Sequence, residues 1–538
     1  SEDDLRELLR FVLGGRHHNK EGLIVSMLPN PYLIVWAGNI INGDPGITVE
    51  RLRRKFADDL EFETTRSLMP EFDKRRVNEI LADLALIGPF RRNDRAVLSL
   101  LREKFDLAEE RVQAQIDQMV ENGILREVGY SIRFNPDMKG DLYLAHYIDQ
   151  IRNFDALSEW IESWEPRFND KILTNLEAAS GFCEEDVIKD VIKDYFASWI
   201  NKAIAESKDL SGYHRTECLE ALSKFCYQVP EESIDLMYTY IDTPPPGDED
   251  DAILSPTQDT YGTVVIRLIH AGFSREEIFD LLEHIYKNVP SGQYSNYMVE
   301  SMVTETVSPF YNTLDKIRET LTLLESRLDA ENEFSIVALG KALSEALRAD
   351  HEISYLSSPY TITRDVRPLP ATPAVLETRE HAISMLKRVL CHQSVHVRRK
   401  AVETSGKIGS KFGDGEFSLS ERIAEERRII LAELEQLIPR ETDYGVLCNI
   451  ESLLFRWWEY KVSGTEDAES ILKAFPRPME YIIYGFLFYS RPLLLSFNPE
   501  TIPSGEEERR KWCSGVKLGF AIPENIFTEF SEPILSFL

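Results

Sequence analysis

Leu386–Ile408 reads LKRVLCHQSVHVRRKAVETSGKI. Apolar residues recur at helical spacing up to Leu390, and the polar turn Cys391-His392-Gln393-Ser394 follows. A second helix then opens at Val397-Arg398, with small residues at Ala401 and Ser405-Gly406. Two short amphipathic helices joined by a tight turn cannot bury their apolar faces alone, so such a pair must stack on neighbours. The turn and its flanks carry Arg388, His392, His396, Arg398 and Arg399, which are expected to be partner-binding residues.

The same periodicity runs outward from this hairpin, which resembles a HEAT-type repeat. From Asp141 to about Leu472 one helical face follows another: Leu219/Leu222/Phe225, Ile278/Leu281/Leu282/Ile285 and Leu447/Ile450/Leu453/Leu454/Trp457. Strand-like alternation is nearly absent, so residues 141–472 are expected to form a HEAT-like α-solenoid. One internal echo supports repetition: Pro230–Met237 resembles Arg275–Leu282, with Asp235 and Asp280 45 residues apart, within the HEAT period of about 40–47 residues. Two segments interrupt the pattern. Residues 231–259 include the Pro-rich acidic run Pro244–Asp251, expected as a solvated loop, and Ser357–Pro373 carries four prolines, expected as an extended connector. Residues 473–538 turn aromatic and Pro-rich, as a cap over the last helices would.

Toward the N-terminus, Leu5, Leu8, Leu9 and Val12 give an amphipathic helix already under way near Ser1, which is expected of a piece of a longer polypeptide. Pro31 starts a second helix, and Thr48 caps a third. Residues 46–140 are expected to hold a winged helix. Its helices are Arg95–Lys104 and Ala108–Asn122, Gly123 is its helix stop, and a hairpin of Ile124–Val128 with Tyr130–Phe134 turns at Gly129. A DNA-reading helix needs cations toward phosphate and base edges. Ala108–Asn122 instead sets Glu109, Glu110, Asp117 and Glu121 against Arg111 alone, so this unit is expected to face protein. Residues 51–92 carry ten basic and eight acidic residues, a balance that fits a solvated face better than a nucleic-acid site.

The whole chain has 91 acidic and 61 basic residues, a net charge of −30. Such a field repels phosphate backbones and anionic membranes. The longest apolar run, Tyr481–Leu495, is broken by Arg491-Pro492 and falls short of the roughly 20 residues a membrane span needs. Six unpatterned cysteines fit a cytoplasmic protein with free thiols. No catalytic signature emerges. Ala338-Leu339-Gly340-Lys341-Ala342 lacks the first glycine and the hydroxyl of a P-loop. His392 and His396 straddle the hairpin turn with no carboxylate to complete a metal set. The chain is therefore expected to be neither an enzyme nor a holder of a cofactor or metal.

The order of parts resembles the C-terminal half of a STAND-type NTPase, the signalling class of NACHT and NB-ARC proteins and bacterial antiviral sensors. Asn30-Pro31-Tyr32-Leu33 is similar to the segment that closes the ATPase lid in that family, which makes residues 1–45 the end of a lid. The family's winged helix ends in a His-Asp pair followed by Tyr-Leu; here Pro136-Asp137 and Tyr143-Leu144 take those places. The resemblance assigns Pro136 and Asp137 to the nucleotide-contacting position, although Pro136 lacks the imidazole. It also implies ATP or ADP and Mg only in an upstream NTPase domain, a protein target for the helical array, a hinge near residues 135–150, and oligomerisation of the full-length protein. The alternative is a HEAT-repeat scaffold or adaptor with no switching NTPase.

Overall fold

The computed structural model describes residues 2–13, 31–44, 46–67, 77–135, 138–151, 153–164, 169–183, 186–243, 245–246, 256–289, 297–309, 312–358, 361–410, 418–476 and 481. The described chain is mostly helical, of an α-solenoid-like class, and divides into two compact units, Ser1–Pro256 and Thr257–Leu538. The division falls inside the stretch 141–472 that was expected as one array. Most of Pro244–Asp251, and the aromatic tail apart from Tyr481, lie outside the described residues.

In the first unit, α1 (Glu2–Val12) packs on α2 (Pro31–Gly43), with Leu9 fully buried. The helix α3 (Val49–Ser67) begins where the Thr48 hydroxyl accepts a hydrogen bond from the Arg51 amide at 3.2 Å. Next come α4 (Val77–Ile87), β1 (Phe90–Arg91), α5 (Arg95–Phe105), α6 (Glu109–Glu121), β2 (Leu125–Val128) and β3 (Ser131–Phe134). Asp94 caps α5 by accepting from the Ala96 amide. The helix α6 closes at Gly123, whose φ of 75° is the left-handed conformation that glycine adopts without strain. The strands form an antiparallel sheet of order β1-β3-β2, pairing Phe90 with Ile132 and Leu125 with Phe134. Strand β1 went unanticipated: its two residues are too few for any alternation to register, and pairing with β3 makes them a strand.

Five further helices follow in this unit: α7 (Met138–Ile151), α8 (Phe154–Glu162), α9 (Asn169–Ser180), α10 (Asp186–Ala205) and α11 (Gly212–Phe225). A short 3₁₀ turn and α12 (Pro230–Asp242) follow. They stack in two layers: α4, α7, α9 and α11 in one, α8, α10 and α12 in the other. Residues 231–242, expected as part of the solvated loop 231–259, instead belong to the packed helix Pro230–Asp242, with Ile234, Leu236 and Met237 buried.

The second unit repeats the two-layer plan. One layer stacks α13 (Gln258–His270), α15 (Tyr297–Val307), α17 (Glu333–Ala346), α19 (Val395–Ser405), α21 (Tyr444–Glu459) and α22 (Ala468–Ala474), each on the next. In the other, α16 (Leu314–Ser326), α18 (Pro373–Leu390) and α20 (Ser420–Leu437) stack in sequence, while α14 (Arg275–Asn288) packs on α13, α15 and α17. Between α17 and α18 the chain forms an antiparallel hairpin of β4 (Asp350–Ser358) and β5 (Thr361–Pro368), in register from Asp350 opposite Pro368 to Leu356 opposite Ile362, with a shift before Ser358 pairs with Thr361. This corrects the extended connector expected over Ser357–Pro373. In sequence Pro359 falls between the two strands and the other three prolines fall at or after the end of β5, while the β-branched residues Thr361, Ile362, Thr363 and Val366 favour a pleated strand. The amide of Ala349, at the hairpin's base, donates to the Ser410 carbonyl beyond α19.

Arginines close the ends of the stacked helices. A helix leaves its last four carbonyls without partners and carries negative partial charge there. Arg215 donates to the Ser207 carbonyl past the end of α10 and to the Tyr240 and Thr243 carbonyls at the end of α12. Arg379 takes the Leu347 and Arg348 carbonyls past α17, Arg398 those of His392 and Gln393 past α18, and Arg427 that of Ile408 past α19. Each guanidinium on one helix thus binds carbonyls at or just past the end of another, tying neighbours together.

Candidate functional site

The decisive hairpin is present as α18 and α19. Leu386, Leu390, Val397, Ala401 and Ser405 are buried, and α19 lies between α17 and α21. Of the five expected partner-binding residues, three arginines pair with acids of the chain, two of them beside the start of α21. Arg398 meets Glu441 in a bidentate pair at 2.6 and 2.8 Å, with Glu441 buried. Arg399 meets Asp443, the cap of α21, at 2.9 Å. Their donors tie the α18–α19 turn to the start of α21. His392 accepts from the Ser394 amide through Nδ1 at 3.1 Å and shapes the turn, whereas His396 is exposed. Among the described residues no group of three or more His, Cys, Asp or Glu is placed to hold a metal.

Arg388 lies on the exposed side of α18 and pairs bidentately with Glu325 of α16 at 2.7 and 2.8 Å. It marks the edge of an open cleft of about 630 Å³ between α16 and α18, lined by Asp315, Arg318, Glu319, Thr322, Leu323, Ser326 and His381. Arg318 bridges Asp315 and Glu377, the latter at 3.0 Å. His381 shares a 3.2 Å hydrogen bond with the Thr322 hydroxyl, and burial, joined by Arg388, lowers its imidazole below the ordinary histidine value.

The first unit has its own polar centre. Asp83 of α4 is fully buried, and its Oδ1 accepts from Lys104 Nζ of α5 at 2.7 Å, Trp160 Nε1 of α8 at 2.8 Å and Trp164 Nε1 at 3.1 Å. Burial raises the Asp83 carboxyl above its ordinary value, against the pull of Lys104. Nearby, Asn175 of α9 donates to the Leu86 and Gly88 carbonyls at the end of α4, each at 2.7 Å. The helices around the small sheet and the first stacked helices thus share one hydrogen-bonded junction.

Pro136 and Asp137 lie outside the described residues. Tyr143 and Leu144 are fully buried on α7, and the Tyr143 hydroxyl donates to Glu61 Oε1 at 3.1 Å. The segment expected as a hinge is largely this helix, packed on α4 and α9. A smaller cavity of about 380 Å³ lies beside it. Its aromatic side is Trp36 edge-on to Phe56, its rim is Arg66 over the Phe62 ring, and Lys139 lies 3.5 Å from Glu63.

The sequence matches no protein-family model and no curated protein. Among the described residues no helix is long and apolar enough to cross a membrane, and no disulfide joins any two of the five described cysteines.

Proposed function

We propose that this chain is the regulatory and ligand-sensing region of a STAND-like NTPase, in which a HEAT-like helical array docks a protein target and holds a winged-helix module. The order helix–strand–helix–helix–strand–strand, with a sheet of order β1-β3-β2, supports the winged helix. The two-layer stacks, with α18 and α19 as one helical pair, support HEAT-like repeats. Arg92 is held by Asp117 at 2.8 Å and by Glu127 at 3.1 Å. The module therefore presents acid beside α6, which suits a protein neighbour and opposes DNA.

The single observation that carries the reading is Asp83. One carboxylate oxygen gathers donors from α5 and α8, so the module and the first array helices move together as a rigid lever. Target docking on the array would bias the module by its differential affinity for two states, and shifting such an equilibrium from 1:99 to 99:1 takes about 5.5 kcal/mol. A protein surface supplies that more readily than an ion. ATP, ADP and Mg would be held upstream; a cytoplasmic setting, oligomerisation and a role in antiviral defence belong to the same proposal.

The experiment is nucleotide hydrolysis by the intact parent polypeptide with and without Asp83→Asn. Loosening the junction should change the basal rate about tenfold, the effect of about 1.4 kcal/mol on the switch. An unchanged rate, or a parent without a P-loop, would leave the scaffold alternative.

A further inference from the structure

We propose that the cleft between α16 and α18 is the docking site for a short basic segment of a protein partner. The proposal deepens the reading of the array as a recognition surface and rests on it. Asp315, Glu319, Thr322 and Ser326 follow one another at i, i+4, i+7 and i+11 on α16, facing the cleft along three turns, which is about 16 Å. What they offer is acceptors. The Ser326 hydroxyl donates to the Leu323 carbonyl at 2.7 Å and so turns lone pairs toward the groove, while the Thr322 hydroxyl donates to the Arg318 carbonyl at 2.9 Å and shares its oxygen with His381. Glu319 is exposed and has no partner among the described residues.

The cations present are already committed. Arg318 serves both Asp315 and Glu377, and Arg388 is matched by Glu325. In and around the cleft four carboxylates (Asp315, Glu319, Glu325 and Glu377) face two guanidiniums. His381, kept from charging by burial and by Arg388, adds nothing at neutral pH. A cleft of acceptors with surplus negative charge selects donors: Lys or Arg side chains, with Glu319 as the open seat and Asp315, one turn away on α16, available by exchange with Arg318. Carboxylates one helical turn apart are about 6 Å from each other. Alternate residues of an extended strand lie about 6.6 Å apart. The occupant is therefore an extended segment of about five residues with basic side chains at alternate positions. Nucleic acid has the wrong sign.

The test uses the full chain and a fluorescein-labelled peptide of alternating arginine and serine, read by anisotropy at physiological ionic strength. Glu319→Lys should weaken binding about tenfold and Glu319→Gln by less. Glu435→Lys, an exposed site on α20 with the same change in net charge, should leave affinity within about twofold. Equal losses in the two Lys variants would mean that the peptide senses only the acidic field of the whole chain, and absence of binding to the unaltered chain would equally overturn the proposal. If a protein target bound to the array is insensitive to Glu319→Lys, the cleft is refuted while the docking reading stands.

Discussion

Arg379 of α18 and Glu426 of α20 form a bidentate ion pair sealed from solvent. Nε and Nη2 donate to Oε1 and Oε2 at 2.9 and 2.6 Å, with the two side chains 1% and 0% exposed. Desolvating two charges is expensive, and the cost is offset only where geometry is good and the remaining donors are satisfied. Here they are: the other guanidinium donors reach the Leu347 and Arg348 carbonyls, and Arg422 adds a second contact to Glu426 at 3.2 Å.

Removing one partner should therefore be costly. Arg379→Leu leaves the buried Glu426 with the Arg422 contact alone and takes the arginine donor from the Arg348 carbonyl, an expected loss of about 3–5 kcal/mol in urea unfolding. Arg379→Leu combined with Glu426→Leu should recover part of it. Arg428→Leu, which breaks half-exposed pairs on the same helix, should cost about 0–1 kcal/mol. Similar losses for Arg379→Leu and Arg428→Leu would contradict the burial of the pair.

Asp83 makes a pH-dependent contribution whose sign follows from burial. Its folded carboxyl titrates above the ordinary Asp value of 3.8, so the folded state holds the proton more tightly than the unfolded one. The stability this provides is complete below that ordinary value and is lost as pH rises through the folded pKa. Asp83→Asn removes the titration. The unaltered protein's advantage in melting temperature over Asp83→Asn should thus be largest near pH 4 and shrink toward pH 7. A constant difference across that range would show that Asp83 does not titrate in the folded chain.

Helices were legible because burial writes a period into the sequence. Leu386/Leu390 and Val397/Ala401 mark both halves of the α18–α19 pair, Pro31 opens α2, Thr48 caps α3, and Gly123 ends α6. The polar network was not legible, because its partners are remote along the chain. Asp83 meets Trp160 and Trp164 77 and 81 residues away, and Arg379 meets Glu426 at a separation of 47. Charge alone likewise made Arg398 and Arg399 resemble Arg388. Only the fold reveals that the first two face helix ends and the acids before α21, whereas Arg388 borders an open cleft. The hairpin of β4 and β5 escaped notice because its alternate positions mix polar and apolar residues, leaving no amphipathic signal.

Ala401 tests the stacking of α19 directly. It is 2% exposed, and a carboxylate placed there has no cation built to meet it. Ala401→Asp should cost several kcal/mol and lower the melting temperature of the second unit. A melt that overlays that of the unaltered chain would place this face of α19 in solvent.

Gly445 and Arg399 form a pair whose fit can be measured by breaking it twice. Gly445 is the second residue of α21, and a Cβ there would fall on the Arg399 guanidinium, which is held by Asp443 at 2.9 Å. Gly445 carries no positive φ, so the constraint is contact with Arg399 rather than backbone strain. Gly445→Ala should displace Arg399, loosen the Asp443 pair and cost about 1–3 kcal/mol by overpacking, although alanine is the better helix former by about 1 kcal/mol. Once Arg399→Ala has removed the obstruction, Gly445→Ala should become neutral or stabilising. A double-mutant cycle by urea unfolding reads the coupling, expected at about 1–3 kcal/mol. Strict additivity would mean that Arg399 does not lie over the start of α21, leaving the Arg398–Glu441 pair and apolar contact to hold α19 to it.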